Sequence, residues 1–284
     1  MSRIVYINGD YVAAENAMVS VFDRGFIFGD GVYEVVPVVK GRLVDRDYFL
    51  ERLERSLAEL QIPWPIDSDQ YVTVLEELIG RNRLQEGIVY SQVTRGVADR
   101  EFAFPANTQA TLMAFTSAMN ILENPLAKTG IAVATSDDIR WKRRDIKSIN
   151  LLAQCLAKQD AASHGATESW MVEDGFVTEG ASSSAYIVKG GVLITRPLSN
   201  SILPGIRRRT LLEIAAAVGI GVEQRAFTVA EALQADEAFI TSATTLVLAV
   251  VRIDGQQVAD GNPGPVTGKL RELYKGRMLA EAGN

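Results

Sequence analysis

Four short turn signals, each flanked by apolar residues in alternation, constrain the fold of this chain most. They lie at Asn8-Gly9, Lys40-Gly41, Asp174-Gly175 and Gly190-Gly191. Tight turns of this kind join antiparallel strands into hairpins. Helical periodicity appears between the hairpins, in residues 47–62, 68–83, 205–218 and 266–280. The pattern therefore predicts an α+β chain with many antiparallel hairpins, unlike a regular βαβ array.

The length of the chain allows more than one folded unit. Its 284 residues exceed the roughly 100–200 expected of a single domain. Residues 117–128, with the sequence TSAMNILENPLA, interrupt the periodicity and indicate an interdomain linker. We therefore expect a small N-terminal α/β domain over residues 1–116 and a larger C-terminal domain over 129–284.

Composition excludes several classes of protein. The net charge of −6 and the pI of about 5.1 argue against a nucleic-acid partner. No apolar run approaches the ~18–20 residues of a membrane span, so we expect no membrane insertion. The N-terminus begins with a hairpin pattern and carries no signal-peptide core. A single cysteine, Cys155, precludes a disulfide within the chain, and a reducing cytoplasm is expected.

The histidine content narrows the chemistry further. His164 is the only histidine in the sequence. Histidine triads and His/Cys metal clusters are therefore not available, and no metal site is expected. Acid–base chemistry would have to come from Lys, Asp, Glu or Tyr, or from a bound cofactor.

One lysine stands in a suggestive place, in the stretch WKRRDIKSINLLAQCLAKQDAASHG at residues 141–165. Ser148 is a candidate N-cap, which would place Lys147 just before a helix. The expected buried face of that helix contains Ile149, Leu152, Leu156 and Ser163. The positive helix terminus, with Arg143 and Arg144, would favour the neutral amine that Schiff-base chemistry needs. The alternative is a solvated lysine in a basic turn.

Further candidate residues lie in three loops and one helix. Glu179, in VTEGASSSA, could hold a heterocyclic nitrogen protonated with hydroxyl donors from Ser182 and Ser183, or it could be an exposed turn carboxylate. In LPGIRRRT, residues 203–210, the amides of Ile206 and Arg207 could receive a phosphate, or the helix could be an ordinary one.

The loop TSATT, residues 241–245, could cradle phosphate or simply end a strand. In FLERLERS, Arg52 and Arg55 lie beside Glu51 and Glu54, which surface ion pairs would explain equally well. Taken together, an amine, an acidic partner for a ring nitrogen and several phosphate sites match the requirements of pyridoxal phosphate.

The order of these motifs resembles a known family. The motifs are FDRGFIFGDGVYEVV, RLERS, TRG, DIKSINLL, VTEGASSS, LPGI and TSATT. They occur in this order in the fold-type IV pyridoxal-phosphate transaminases, and the resemblance covers residues 4 to about 273. GDGVYEVV together with RWKRRDIKSINLL is most similar to the D-amino acid transaminases. The resemblance implies a C-terminal pseudo-barrel domain, a homodimer, and ping-pong transfer of an amino group from a D-amino acid to a 2-keto acid.

The resemblance also implies roles for individual residues. Lys147 would form the Schiff base and carry the proton, and Glu179 would pair with the pyridine nitrogen. Arg52 would bind the phosphate with the amides of Ile206 and Arg207. The other cofactor-binding positions would be Leu203, Ser182, Ser242, Ala243 and Thr244. Tyr33 would lie near the lysine and the substrate, and Arg100 would hold the substrate α-carboxylate.

The sequence departs from the family pattern in three places. Arg100-Glu101-Phe102 stands where D-amino acid transaminases usually carry Arg-x-His, so one carboxylate donor is missing. Gly205-Ile206-Arg207-Arg208 replaces Gly-Ile-Thr-Arg, and Ala243 replaces a threonine. The loss of two hydroxyl contacts predicts looser cofactor retention.

Several other functions on the same fold stay open. They are an (R)-selective amine transaminase, a branched-chain L-amino acid transaminase, aminodeoxychorismate lyase, and a small-molecule-binding protein without activity. The VYEVV motif and Arg100 favour the D-amino acid branch, whereas Phe102 leaves the amine branch open. In every enzymatic case the partners are small-molecule substrates and a second copy of the chain.

Overall fold

The computed structural model describes residues 3–283, which form two compact units, each built on its own sheet. The first unit contains the residues up to Asn120, the segment Ile146–Asn150 and the residues from Met278 onward. The second contains Ile121–Asp145 and Leu151–Arg277. The units are therefore not two contiguous blocks of sequence, while the linker at 117–128 stays a prediction.

Antiparallel strands form the sheet of the first unit. They are β1 (Ile4–Ile7), β2 (Asp10–Ala13), β3 (Gly31–Val39), β4 (Arg42–Leu43), β5 (Glu86–Thr94) and β6 (Thr111–Ala118). Their order in the sheet is β2-β1-β6-β5-β3-β4. The predicted turns at Asn8-Gly9 and Lys40-Gly41 join β1 to β2 and β3 to β4, so both hairpins are confirmed. All four turn residues have positive φ, as the twist of a two-residue hairpin requires.

Helices α1 (Arg24–Phe28), α2 (Arg46–Glu59) and α3 (Ser68–Asn82) lie in the first unit. Of these, α2 and α3 follow the sequence pattern closely, whereas α1 was not predicted. The carboxylate of Asp67 accepts hydrogen bonds from the amides of Asp69 and Gln70, which fixes the start of α3. Helix α2 packs on β3 and α3 packs on β1. The predicted helices at 47–62 and 68–83 are confirmed, with ends shifted by the capping residues.

A short extended segment, Ile146–Asn150, pairs with β3. The amide of Tyr33 donates to the carbonyl of Lys147 at 3.0 Å, and the amide of Ile149 donates to the carbonyl of Gly31 at 3.1 Å. The carbonyl of Lys147 and the amide of Ile149 thus find their partners on β3 and need none within a helix. The segment that carries Lys147 is therefore strand-like and is fixed to the sheet of the first unit.

The helix that follows, α4 (Leu152–Ser163), starts later than the sequence predicted. The expectation that Ser148 caps this helix is wrong, because Ser148 forms a bridge with Val32 on β3. The expected buried face is wrong as well. Leu152 and Leu156 are 74% and 54% exposed.

Small residues form the buried face of α4 instead. Ala157 and Ala161 are buried, and Ala157 clusters with Met171 and Ala181. Helix α4 contacts the strands of residues 131–137 and 168–173. Alanine allows this close approach of a helix to a sheet, which a leucine at the same position would prevent.

The second unit is a nine-stranded mixed sheet. Its strands are β7 (Ile131–Asp137), β8 (Glu168–Glu173), β9 (Phe176–Gly180), β10 (Ser184–Lys189), β11 (Val192–Thr195), β12 (Val222–Gln224), β13 (Glu237–Ser242), β14 (Leu246–Ile253) and β15 (Gln256–Gln257). The order is β12-β11-β10-β13-β14-β7-β8-β9, with β15 paired to β14. Strand β9 also lies against β10, so the sheet curls back on itself. The hairpins predicted at Asp174-Gly175 and Gly190-Gly191 are confirmed.

Aromatic and aliphatic side chains fill the core of the second unit. The rings of Trp170 and Phe227 meet edge to face at 5.8 Å, and those of Tyr186 and Phe239 stack at 4.6 Å. All four side chains are buried. The two units contain α-helices together with antiparallel and mixed sheets, and the predicted α+β class is confirmed.

The remaining helices are α5 (Ile206–Ala217), α6 (Val229–Leu233) and α7 (Pro265–Gly283). Helix α5 begins after Gly205, as predicted. The hydroxyl of Thr228 accepts from the amide of Glu231 at 3.1 Å and caps α6. Across residues 3–283, none of the helices has the length and apolar character needed to cross a membrane.

Candidate active site

The first unit presents Lys147 beside an aromatic ring. The Nζ atom of Lys147 lies 4.2 Å from the ring centroid of Tyr33. The Tyr33 ring stacks on Tyr90 at 5.5 Å, and Tyr90 stacks on Phe115 at 4.9 Å. This row of rings restricts Tyr33, and the cation–π contact orients the amine of Lys147. The structure therefore brings together two residues that the sequence assigned to one site.

The two arginines upstream of Lys147 are paired with carboxylates. Arg143 bonds Asp145 at 3.1 Å, and the buried Arg144 bonds Glu173 at 2.8 Å. These carboxylates compensate the guanidinium charges. Because α4 begins only at Leu152, the helix terminus that the sequence placed directly after Lys147 lies further along the chain.

Arg52, the predicted phosphate ligand, is held by a carboxylate of β3. Its Nε and Nη2 atoms donate to the two oxygens of Glu34 at 2.8 and 2.6 Å. Glu34 is fully buried. Sequence reasoning missed Glu34, although it lies in the GDGVYEVV motif. A phosphate bound by Arg52 would share the guanidinium with this carboxylate.

Arg100, the predicted carboxylate ligand, is exposed on the loop after β5. Its guanidinium carbon lies 5.5 Å from the ring centroids of both Phe28 and Phe102. Arg100 therefore lies near two aromatic rings, and one of them, Phe102, stands where the family pattern has a histidine.

In the second unit, Glu179 is a buried carboxylate on β9. It is 5% exposed, which rules out the alternative of a solvated turn residue. Arg140 Nη1 donates to it at 2.5 Å, and the amide of Leu203 donates to both its oxygens at 3.1 and 3.2 Å. Burial raises the pKa of Glu179, and the charge and hydrogen bond of Arg140 oppose that effect. The structure thus brings the predicted residues Glu179 and Leu203 together.

Sequence reasoning missed Arg140. This buried side chain bonds both Asp138 oxygens, at 2.9 and 2.6 Å, in addition to Glu179. Burial alone would lower the pKa of Arg140, but the adjacent Asp138 and Glu179 carboxylates raise this pKa above its usual value. Thr178 donates its hydroxyl to Asp138 at 2.6 Å. Arg140 therefore keeps Glu179 beside a fixed positive charge.

The hydroxyls of the serine-rich loop are directed at another carboxylate. Ser182 and Ser183 both donate to Glu168 Oε2, at 2.8 and 3.0 Å. Lys158 pairs with the other oxygen of Glu168 at 3.0 Å. A hydroxyl carries a single proton, so Ser182 in this arrangement can accept a hydrogen bond but has none left to donate. Cofactor binding by Ser182 stays a prediction that requires a change of this hydrogen bond.

The N-terminus of α5 has the features expected of an anion site. Gly205 is its N-cap, and a Cβ at that position would lie 2.8 Å from Ser184 Oγ. The amides of Ile206 and Arg207 lie in the first turn, where helical amides lack an i−4 acceptor. The Arg207 side chain is buried and donates to the Tyr274 hydroxyl at 3.1 Å. The charge expected at the phosphate loop is therefore directed to Tyr274.

The other two arginines of α5 also have identified acceptors. Arg208 donates to the carbonyl of Arg196 at 2.9 Å and to Gln224 at 2.8 Å. Arg209 pairs with Glu213 one helical turn away. The contacts of Arg208 join α5 to residues outside the helix, whereas the Arg209 pair lies within it.

The TSATT loop forms a compact turn around one hydroxyl. Ser242 Oγ accepts from the amides of Thr244 and Thr245 at 3.3 and 3.2 Å and lies 2.8 Å from Thr245 Oγ1. Ala243 contributes no side-chain polar atom. Thr245 thus joins Ser242 and Thr244 as a hydroxyl of this turn, although the resemblance did not name it among the cofactor-binding positions.

Comparison with known sequences identifies the family. The model of the class IV amino-transferases matches residues 31–253. A D-alanine aminotransferase of Staphylococcus haemolyticus is 40% identical over 271 residues, 95% of this chain and 96% of that protein. One of Bacillus licheniformis is 38% identical over 277 residues, 98% of each chain. The chain belongs to the class IV aminotransferase family, which confirms the resemblance seen in its motifs.

Solved structures agree on the fold. The branched-chain amino acid aminotransferase of Escherichia coli superposes with a TM-score of 0.91 at 24% identity, covering 99% of this chain and 96% of that one. The branched-chain aminotransferase of Thermoproteus uzoniensis, with norvaline, gives 0.87 at 26% identity and covers 99% and 96%. The two units described above together have the fold of this enzyme class.

Proposed function

We propose that this protein is a pyridoxal-phosphate-dependent transaminase that moves the amino group of a D-amino acid to a 2-keto acid. The observation that carries the proposal is 40% identity, over 95% of the chain, with a D-alanine aminotransferase. Small-molecule amino acids and keto acids are accordingly its substrates. The two substrates react one after the other in a ping-pong sequence.

The residues present fit the cofactor. Lys147 offers a half-buried amine for covalent attachment, and Glu179 offers a buried carboxylate backed by a guanidinium. The first turn of α5 offers amides for a phosphate. When bound, pyridoxal phosphate supplies an aldehyde that carries the amino group and a ring that accepts electrons from the substrate Cα.

Lys147 is the catalytic residue of this proposal. Its amine would take the proton from the substrate Cα and deliver it to the C4′ carbon of the cofactor. The extended segment Ile146–Asn150 fixes the backbone of Lys147, and Tyr33 lies against its Nζ. This arrangement fixes the position of the amine.

Glu179 holds the proton on the ring nitrogen of the cofactor. A carboxylate does this only in its charged form, which burial disfavours. Arg140 and the amide of Leu203 stabilise the charge by hydrogen bonds of 2.5 and 3.1 Å. The side chain of Leu203 would pack against the ring.

The remaining contacts anchor the phosphate and the substrate. Arg52 and the amides of Ile206 and Arg207 would bind the phosphate, aided by the turn of Ser242, Ala243 and Thr244, and by Ser182 once its hydroxyl no longer donates to Glu168. Arg100 binds the α-carboxylate of the substrate, and Tyr33 lines its path to Lys147.

A homodimer in a reducing cytoplasm completes the proposal. Exposed large apolar side chains of the first unit form what we term the apolar patch, namely Met18, Val19, Val21, Phe22, Phe26, Val97, Phe102 and Phe104. Its two stretches of sequence meet where the amide of Ala98 donates to the carbonyl of Phe22 at 3.2 Å. Contiguous exposed apolar surface indicates a protein interface.

A lone exposed Cys155 is compatible with a reducing compartment.

The decisive test is a half-reaction. Holoprotein is mixed with D-alanine alone, and the visible absorbance of the bound cofactor is followed. We expect conversion of the aldehyde form to the amine form with D-alanine and none with L-alanine. The variant Lys147→Ala should show no conversion, and Lys147→Arg, which keeps the charge, should be equally inactive.

Other outcomes would assign another activity. Conversion by an (R)-amine or by L-leucine, with failure of D-amino acids as a class, would replace the proposal by an amine or branched-chain transaminase. Release of pyruvate from aminodeoxychorismate would indicate the lyase. Failure to bind the cofactor would indicate a binding protein on the same fold. Phe102 is the one observation that favours the amine transaminase, because it presents an apolar ring in the carboxylate loop.

A further inference from the structure

Arg100 rests on two aromatic rings. Its guanidinium carbon lies 5.5 Å from the ring centroids of both Phe28 and Phe102. The two rings are themselves 5.5 Å apart and tilted by 43°. We call Phe28 and Phe102 the aromatic shelf. Each ring attracts the cation through its π face, and two rings restrict the guanidinium more than either one could.

The loop that carries Phe102 is anchored in the core of the first unit. The buried Arg24 donates to the carbonyl of Glu101 at 2.5 Å and pairs with Asp30 at 2.8 Å. The same guanidinium lies 4.7 Å from the Phe28 ring. Arg24 therefore contacts the Phe28 ring and holds the backbone next to Phe102, and its partner Asp30 also pairs with Arg95 at 2.7 Å.

The guanidinium of Arg100 keeps its hydrogen-bond donors. Throughout residues 3–283 no carboxylate pairs with it. The neighbouring Glu101 directs its carboxylate back to the amide of Phe102, at 2.8 Å. A cation–π contact uses the charge of a guanidinium and none of its N–H groups. Arg100 is thus positioned and exposed, with its N–H groups available to a carboxylate.

We propose that Phe28 and Phe102 are positioning residues that hold Arg100 for the substrate α-carboxylate. The shelf takes the place of a second polar donor in this loop, so that one guanidinium on an apolar support recognises the carboxylate. The inference rests on the proposed function, because it assigns the α-carboxylate of the amino acid to Arg100.

Equilibrium binding tests the shelf without turnover. Propionate, which has the carbon chain of alanine and no amine, is titrated into holoprotein by calorimetry. Phe102→Leu keeps the apolar volume and removes the π face, so the Kd should rise about fivefold. Phe28→Leu should act in the same direction, and Phe102→Tyr, which retains the ring, should bind as the natural protein does.

Phe104 provides the matched control. It is exposed on the same loop, and its ring lies 3.5 Å from the guanidinium carbon of Arg95 rather than near Arg100. Phe104→Leu should leave the Kd of propionate within twofold of the natural value. Because Phe102 and Phe104 both belong to the apolar patch, sedimentation of each variant checks that all are compared in the same oligomeric state.

Steady-state kinetics supply the second readout. For D-alanine, Phe102→Leu should raise KM about fivefold and leave kcat within twofold, since the shelf acts on a binding group and Lys147 is untouched. Equal propionate affinities of Phe102→Leu and Phe104→Leu, or a loss confined to kcat, would overturn the inference. If D-amino acids fail as substrates of the natural protein while propionate binding still depends on Phe102, the proposed function fails and the carboxylate site stands.

Discussion

Buried arginines of this protein are each tied to particular acceptors. Arg140 bonds Glu179, and Arg207 bonds the hydroxyl of Tyr274. Removing one partner of a buried ion pair such as Arg140–Glu179 leaves the other charge uncompensated, at a cost of about 3–5 kcal/mol. Arg207, by contrast, directs Nη1 to a neutral hydroxyl of the structure. In the proposed site, a phosphate at the start of α5 would rely mainly on backbone amides and on neighbouring hydroxyls.

This reasoning predicts the effect of restoring one hydroxyl. Ala243→Thr should tighten cofactor binding about tenfold, because a hydrogen bond to a charged acceptor contributes ~1.5 kcal/mol or more. The measurement is the dissociation constant of pyridoxal phosphate, obtained by titrating apoprotein and following cofactor absorbance. Ala243→Val, which has the shape of threonine without its hydroxyl, is the matched control and should not tighten binding.

Arg207→Thr should behave differently, although the family pattern has threonine there. The substitution removes the hydrogen bond to Tyr274 and leaves a cavity in a buried region. We therefore expect Arg207→Thr to lower the unfolding midpoint and Ala243→Thr to leave the midpoint unchanged. Equal cofactor affinities of Ala243→Thr and Ala243→Val would show that position 243 does not face the phosphate.

At the scale of secondary structure, the parts set by local sequence were predictable. Hairpin turns such as Asn8-Gly9 and the start of α5 after Gly205 follow from backbone preferences of a few residues. The segment around Lys147 was not predictable in this way. Its sequence favours a helix, but the segment is extended because it forms hydrogen bonds with β3, a strand more than a hundred positions earlier.

The residues of the candidate site likewise fall into two groups, those that sequence motifs supplied and those that only the fold shows. Motifs supplied Lys147 and Glu179, because a family pattern preserves residue identity. They did not supply Arg140, which is one of several arginines in a basic stretch, and only the fold shows which of them meets Glu179. The commitment of the Ser182 proton to Glu168 was likewise inaccessible, since it depends on side-chain geometry.

Helix α4 gives a test of its orientation. Ala161 is 1% exposed, so Ala161→Leu should overpack its contact with the sheet and lower the free energy of unfolding by about 1–3 kcal/mol. Leu156 is 54% exposed, so Leu156→Gln should change it by less than about 0.5 kcal/mol. Urea unfolding of both variants makes the comparison. A larger loss for Leu156→Gln than for Ala161→Leu would mean that α4 buries its leucine side.

At the scale of the whole molecule, the apolar patch is the feature that the chain alone does not explain. Its most exposed side chains include Met18 at 77% and Phe26 at 74%, and they are as apolar as residues of the core. Surface leucines scattered singly are ordinary, but a patch drawn from two adjoining segments is not. The exposure of this patch supports the proposal that a second copy of the chain covers it.

Phe26→Glu should accordingly weaken self-association. A carboxylate buried in an apolar interface lacks a partner, so we expect the dimer dissociation constant to rise at least about a hundredfold. Sedimentation velocity over a range of concentrations measures it. Leu198→Glu, at a residue 55% exposed in the second unit and outside the patch, is the matched control and should remain dimeric. If Phe26→Glu and Leu198→Glu associate equally well, the interface lies elsewhere on the chain, and if the natural protein is monomeric at every concentration, the homodimer prediction is wrong.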